Sequence, residues 1–144
     1  MPRLQVSLTS TKPRDRLWEV IADFPNIAQW FDGVKTSAST SDDERGIGAT
    51  RHCALAPMGE VDERILEWEE GQRLLVAIER SSKAPMKTAT ADFTLTDSPE
   101  GITLGIDYEY VPKGGVLGKA ASPAVTKQME KGFTKMLESW DAAA

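Results

Sequence analysis

The C-terminal segment constrains the fold most. From Gly114 to Trp140 the chain reads as one long helix, with Leu117, Val125, Met129, Phe133, Met136, Leu137 and Trp140 along one stripe. These apolar positions recur at intervals of three and four, the spacing that places side chains on a single helical face. Such a face must be buried against something, and the preceding strand-like segments could supply a sheet. A sheet closed against one long helix makes a container, which points toward a binding cavity and away from a conventional catalytic motif. Pro123 falls inside the pattern and either kinks one continuous helix, the favoured reading, or starts a new one. Gly114, Gly115 and Gly118 give the helix a flexible lead-in.

Upstream, Leu4, Val6 and Leu8 alternate with polar residues, as in a strand with one buried face. Thr11 can cap a helix whose early turn contains Pro13 and whose apolar stripe is Leu17, Trp18, Ile21 and Ala22. Phe24-Pro25 breaks it, and a second short helix follows with Ile27, Trp30 and Phe31 as its apolar positions. Six further strands are predicted, over about 34–40, 47–55, 60–69, 74–79, 88–96 and 102–111. They are separated by the turn signals Ala56-Pro57-Met58-Gly59, Glu70-Gly71 and Ser98-Pro99-Glu100-Gly101 and by polar loops. The tail Ala142-Ala143-Ala144 is expected to fray. The order is strand, two short helices, six strands, long helix, with no repeat and no linker, so residues 1–144 read as one domain.

Composition bounds the function. The 144 residues are enough to bury a core. The longest apolar run falls short of the ~20 residues that cross a bilayer, so stable membrane insertion is not expected. A single cysteine, Cys53, excludes an internal disulfide and suits a reducing cytoplasm. The net charge of -5 argues against nucleic acid and disfavours anionic membrane surfaces, although neither argument excludes a local basic patch. No cluster of histidine, cysteine and carboxylates has metal-ligand spacing, and no Gly-x-Gly-x-x-Gly or P-loop is present, so neither a metal nor a cofactor is expected.

Strand alternation predicts an inner wall. Arg51, Cys53 and Leu55 share a face, as do Val61, Glu63 and Ile65, with Val76 and Ile78 opposite them. Ala89, Ala91, Phe93 and Leu95 form a nearly apolar face, and so do Ile102, Leu104, Ile106, Tyr108 and Tyr110. With Val125, Met129 and Phe133 from the helix, these residues enclose a mostly apolar space of the kind that holds small molecules. The alternative is that they simply fill a core. Trp30 and Phe31 could close the mouth or plug one end of it. Arg51 and Glu63 are charged residues on otherwise apolar faces, and a buried charge needs a partner. Paired, they could orient a polar ligand group or tune the carboxylate for acid–base work; at a strand end, or past a bulge, they would simply be solvated. His52 should face solvent, and Cys53 is best read as a small buried hydrophobe. Leu66 and Trp68 fall on the outer face, where they could mark a partner or homodimer surface.

The segment Leu17-Trp18-Glu19-Val20-Ile21-Ala22-Asp23-Phe24-Pro25-Asn26-Ile27-Ala28-Gln29-Trp30 resembles the opening of START-like proteins, the SRPBCC superfamily, which includes polyketide cyclase/dehydrase-like and birch-pollen-allergen-like members. Asp62-Glu63-Arg64-Ile65-Leu66-Glu67-Trp68 and the glycine-containing lead-in to the last helix resemble it too. The resemblance implies an α+β helix-grip fold: a curved antiparallel sheet of about seven strands wrapped around the long helix, with a cavity between. The expected function is binding of a hydrophobic or aromatic small molecule, such as a lipid, isoprenoid or polyketide-like compound. The ligand-lining set is Trp30, Phe31, Arg51, Cys53, Glu63, Ile65, Val76, Ile78, Ala91, Phe93, Leu104, Tyr108, Val125 and Met129. A cyclase or dehydratase using the same cavity, with Glu63, Arg51 and Tyr108 as candidate catalytic groups, is one alternative. A co-chaperone-like interaction module with a filled core is another, since one fold serves many roles.

Overall fold

A computed structural model describes residues 1–55, 57 and 59–144; Ala56 and Met58 of the expected turn lie outside the described residues. The elements are β1 (Arg3–Ser10), α1 (Arg14–Ala22), a 3-10 helix (Phe24–Gln29), β2 (Val34–Ser39), β3 (Thr50–Leu55), β4 (Gly59–Glu69), β5 (Arg73–Ser81), β6 (Met86–Ser98), β7 (Gly101–Pro112) and α2 (Gly115–Ala143). The seven strands form one antiparallel sheet in the order β1-β7-β6-β5-β4-β3-β2, so the first two strands of the chain lie at opposite edges. Everything from β2 to β7 is a meander of hairpins. The fold is the expected helix grip.

Alternation along the strands sends one set of side chains inward. Cys53, Val61, Ile65, Leu74, Val76, Ala91, Phe93, Leu104, Ile106, Tyr108 and Tyr110 are all buried on this face. Register shifts between β4 and β5, at Asp62/Glu63 and at Ile65/Glu67, insert bulges that bend the sheet. The second bulge corrects one expectation. Because one extra residue reverses the facing of everything after it, Trp68 sits opposite Leu74 and turns inward. There it packs edge-on against Trp18 of α1, centroids 5.2 Å apart. Leu66 alone keeps the expected outward exposure.

The helices differ from expectation in detail. Helix α1 starts at Arg14 with Pro13 at its N-cap, so Thr11 is not the cap. The second short helix is a 3-10 turn that starts on Phe24-Pro25 instead of after it, leaving Trp30 and Phe31 just beyond its end. Strand β3 begins at Thr50, and Ile47, placed in that strand by its sequence, is exposed. Helix α2 is continuous through Pro123. Proline has no N–H for the carbonyl four residues back, that of Lys119, and the Ser122 hydroxyl donates to that carbonyl instead, at 2.8 Å. The tail is helical to Ala143, and the Lys12 ammonium donates to the carbonyls of Asp141 and Ala144.

Packing along α2 is graded. Met136, Leu137 and Trp140 are buried, and the Trp140 indole donates to the Leu17 carbonyl at 2.7 Å, tying α2 to α1. Val125, Met129 and Phe133 are half-buried against the wall. Leu117, in phase with the stripe, is 81% exposed. The lead-in is built on glycine for two reasons. Gly114 and Gly115 adopt positive φ, and a Cβ at Gly118 would lie 1.6 Å from the Lys113 carbonyl oxygen.

Candidate functional site

The site is organised by an ion pair. Arg51 on β3 and Glu63 on β4 are direct cross-strand partners on the inner face. Arg51 donates from Nε to Glu63 Oε1 at 3.0 Å and from Nη2 to Oε2 at 3.3 Å. A third donor, Nη1, reaches the Phe24 carbonyl at 2.7 Å, and the guanidinium lies 3.9 Å from the centre of the Phe24 ring. The two side chains are 5% and 11% exposed. A guanidinium carries five N–H groups, so two have no partner among these contacts. The 3-10 turn matters here because it aims a backbone carbonyl and an aromatic face at the cation.

Cys53 touches the pair, and Tyr108 shares its buried face. The Cys53 thiol donates to Glu63 Oε1 at 3.3 Å. Burial, and then the Glu63 charge, push the thiol well above its usual range, so it stays protonated and is a poor nucleophile. Tyr108 is held in its neutral, donating form by burial first and by the Glu63 charge second. Its ring lies 4.6 Å from that of Phe133 on α2. Tyr110 serves the fold. Its hydroxyl lies 2.8 Å from Thr126 Oγ1 and donates to the Ser122 carbonyl at 3.1 Å, fastening the middle of α2 to β7.

A small, partly open space of about 10 Å³ lies beside Arg51, lined by Val20, Ile21, Asp23, Ile27, Trp30, Leu74, Val76 and Phe93. That is room for one water. Trp30 lines it, and the Trp30 indole N–H is buried without an acceptor. The space is thus bordered by residues with unspent donors, and it calls for an acceptor atom.

Of the residues singled out by sequence, Trp30, Arg51, Val76 and Phe93 meet at this space. Cys53, Glu63, Ile65, Ile78, Ala91, Leu104 and Tyr108 share the same buried face. Val125 and Met129 reach it from α2 as half-buried side chains, and Phe31 packs on Trp30 with centroids 6.2 Å apart. Ile21, Ile27 and Leu74 line the space without having been expected to. The helical stripe Leu17, Ile21 and the following Ile27 carried that signal; the Phe24 carbonyl carried none. His52 is on the outer face, half-exposed, with Nδ1 2.6 Å from Asp62 and Nε2 3.1 Å from Glu60. These carboxylates, Asp62 foremost, raise its pKa. Among the described residues no group of three or more His, Cys, Asp or Glu could hold a metal, and no helix is long and apolar enough to cross a membrane.

The fold has close structural counterparts. TTHA0849 from Thermus thermophilus superposes with a TM-score of 0.80 at 14% identity, over 99% of this chain and 96% of that one. Ara h 8.0201 gives a TM-score of 0.70 at 12% identity, covering 99% of both chains. DynU16, encoded in the dynemicin biosynthetic locus, gives 0.69 at 20% identity, over 97% of this chain and 46% of that one. At these identities the likeness is one of fold. No match is found among curated proteins. A family model does match, over residues 1–143, and with it the chain belongs to the SRPBCC-type family described as polyketide cyclase / dehydrase and lipid transport.

Proposed function

We propose that this protein binds an apolar or aromatic small molecule carrying a hydrogen-bond-accepting oxygen, between the inner face of the sheet and α2. The observation that carries this reading is the buried Arg51–Glu63 pair set in an apolar wall. An isolated buried pair is seldom worth its desolvation when apolar packing could replace it. Here the arginine keeps spare donors and lines the same small space as Trp30, whose indole N–H is unpaired, an arrangement suited to an incoming oxygen. Apolar burial at roughly 25 cal/mol per Å² would supply the affinity, and these donors the orientation. The resting interior is nearly filled, so a guest enters by displacing Met129 and Phe133, the half-buried residues of α2.

A cyclase or dehydratase is the second reading, and the neutral Tyr108 hydroxyl on the same buried face as Glu63 is what favours it. Both Glu63 oxygens already accept hydrogen bonds from Arg51, and Oε1 accepts one from Cys53 as well; that engagement suits holding better than proton transfer.

The test is titration with anilinonaphthalene sulfonate, an aromatic probe with acceptor oxygens, alongside native mass spectrometry of the purified protein. Saturable binding at one site is expected. Arg51→Met/Glu63→Leu, which replaces the pair by apolar volume and should fold, is expected to weaken it about tenfold or more. Absence of both saturable binding and a co-purifying molecule would sink the proposal.

A further inference from the structure

The charges of this chain are unevenly placed. Residues 80–91 and 110–129 contain Arg80, Lys83, Lys87, Lys113, Lys119 and Lys127 and no aspartate or glutamate. The remainder therefore holds 11 cations against all 22 carboxylates of an acidic protein. The structure brings the two segments together. The Lys113 backbone N–H donates to the Pro85 carbonyl, and its ammonium donates to the Ser81 and Ser82 carbonyls. The loop between β5 and β6 is thereby fixed beside the first turn of α2.

Several acidic residues of the neighbouring strands are already engaged, while Glu130, one turn beyond Lys127, is exposed. Glu60 and Asp62 contact His52, Glu79 pairs with Arg64, and Glu109 pairs with Arg3. Lys83, Lys87, Lys113, Lys119 and Lys127 pair with no carboxylate among the described residues. On the first turn of α2 stand the two most exposed large hydrophobics among the described residues, Val116 at 84% and Leu117 at 81%.

We infer that this end of the molecule docks reversibly on an anionic lipid bilayer surface, with Val116 and Leu117 entering the interface and the lysines facing lipid phosphates. Two exposed aliphatic side chains flanked along the chain by Lys113 and Lys119 match the layered chemistry of an interface, apolar inside and anionic outside. Lysine stems also bury well while their ammonium groups stay at headgroup level. A nucleic-acid surface would call for exposed aromatics or planar guanidinium forks, whereas the unpaired cations here are all lysines and the exposed apolar residues are aliphatic. The inference goes beyond the pocket and does not require it.

Co-sedimentation with vesicles tests it. The protein should bind phosphatidylcholine vesicles that contain phosphatidylglycerol and leave pure phosphatidylcholine vesicles unbound. Raising salt from about 0.1 to about 1 M, which shortens the screening length from about 10 to about 3 Å, should release it. Lys119→Glu should weaken binding about fivefold or more, and Val116→Ser/Leu117→Ser about tenfold. Both variants alter exposed side chains, so their melting temperatures should match the parent's. Arg51→Met/Glu63→Leu should dock unchanged, which separates failure of this inference from failure of the pocket reading. No binding to the anionic vesicles would overturn the inference. So would binding indifferent to Val116→Ser/Leu117→Ser together with equal binding to single-stranded DNA, the mark of a simple polyanion surface.

Discussion

The two halves of α2 share one helix and one apolar phase, yet they do different work. The C-terminal half ends in Trp140, wholly buried, bonded to Leu17 and edge-on to Phe93. The N-terminal half offers Val125 and Met129 only half-buried to the wall and presents Val116 and Leu117 to solvent. One end of the helix is an anchor and the other is a cover. The difference shows that a periodic stripe specifies which face of a helix is apolar but not how much of that face is buried.

The sharpest way to break this contrast is at the anchor. Trp140→Ala should cost about 3–5 kcal/mol, read as a fall in denaturation midpoint. A cost below about 1 kcal/mol would mean that the two halves are held alike. Next comes the buried ion pair on the sheet's inner face. Glu63→Gln leaves the Arg51 charge buried and only partly matched, and should cost about 3 kcal/mol. The third donor contact, to the Phe24 carbonyl, makes the arginine part of the fold as well as of the site.

Pro123 sharpens the comparison from within the helix. Pro123→Ala restores a donor to the Lys119 carbonyl and should stabilise by about 1 kcal/mol, because the Ser122 hydroxyl already meets part of the need. Hydrogen exchange should slow in residues 116–126 and stay unchanged near Trp140. The smallest effect belongs to the far end: Leu117→Ala should move stability by no more than about 0.5 kcal/mol. A larger loss in chemical denaturation would show that the cover is held in place by contacts at its tip.

Much of this architecture was legible in the residues. Alternation placed Arg51 and Glu63 on the inner face, and three-four spacing identified the anchors Met136, Leu137 and Trp140. Three things were hidden for physical reasons. A bulge is one uncounted residue, so alternation alone set Trp68 on the wrong side of the sheet. A backbone carbonyl such as that of Phe24 has no signature in side-chain chemistry. Free volume is a sum over all facing side chains: the same apolar wall leaves a hollow or fills itself depending on how Tyr108, Phe133 and Met129 lie over small residues such as Ala91.

The bulge near the end of β4 leaves one further mark. It sets the indoles of Trp18 and Trp68 in contact and nearly perpendicular, at 81°. Two identical chromophores so arranged share their electronic transitions and give a paired positive and negative band in circular dichroism. That doublet belongs to the seam between α1 and the sheet, and it disappears when the seam opens. The molecule therefore carries an optical gauge of how its first helix sits on the sheet.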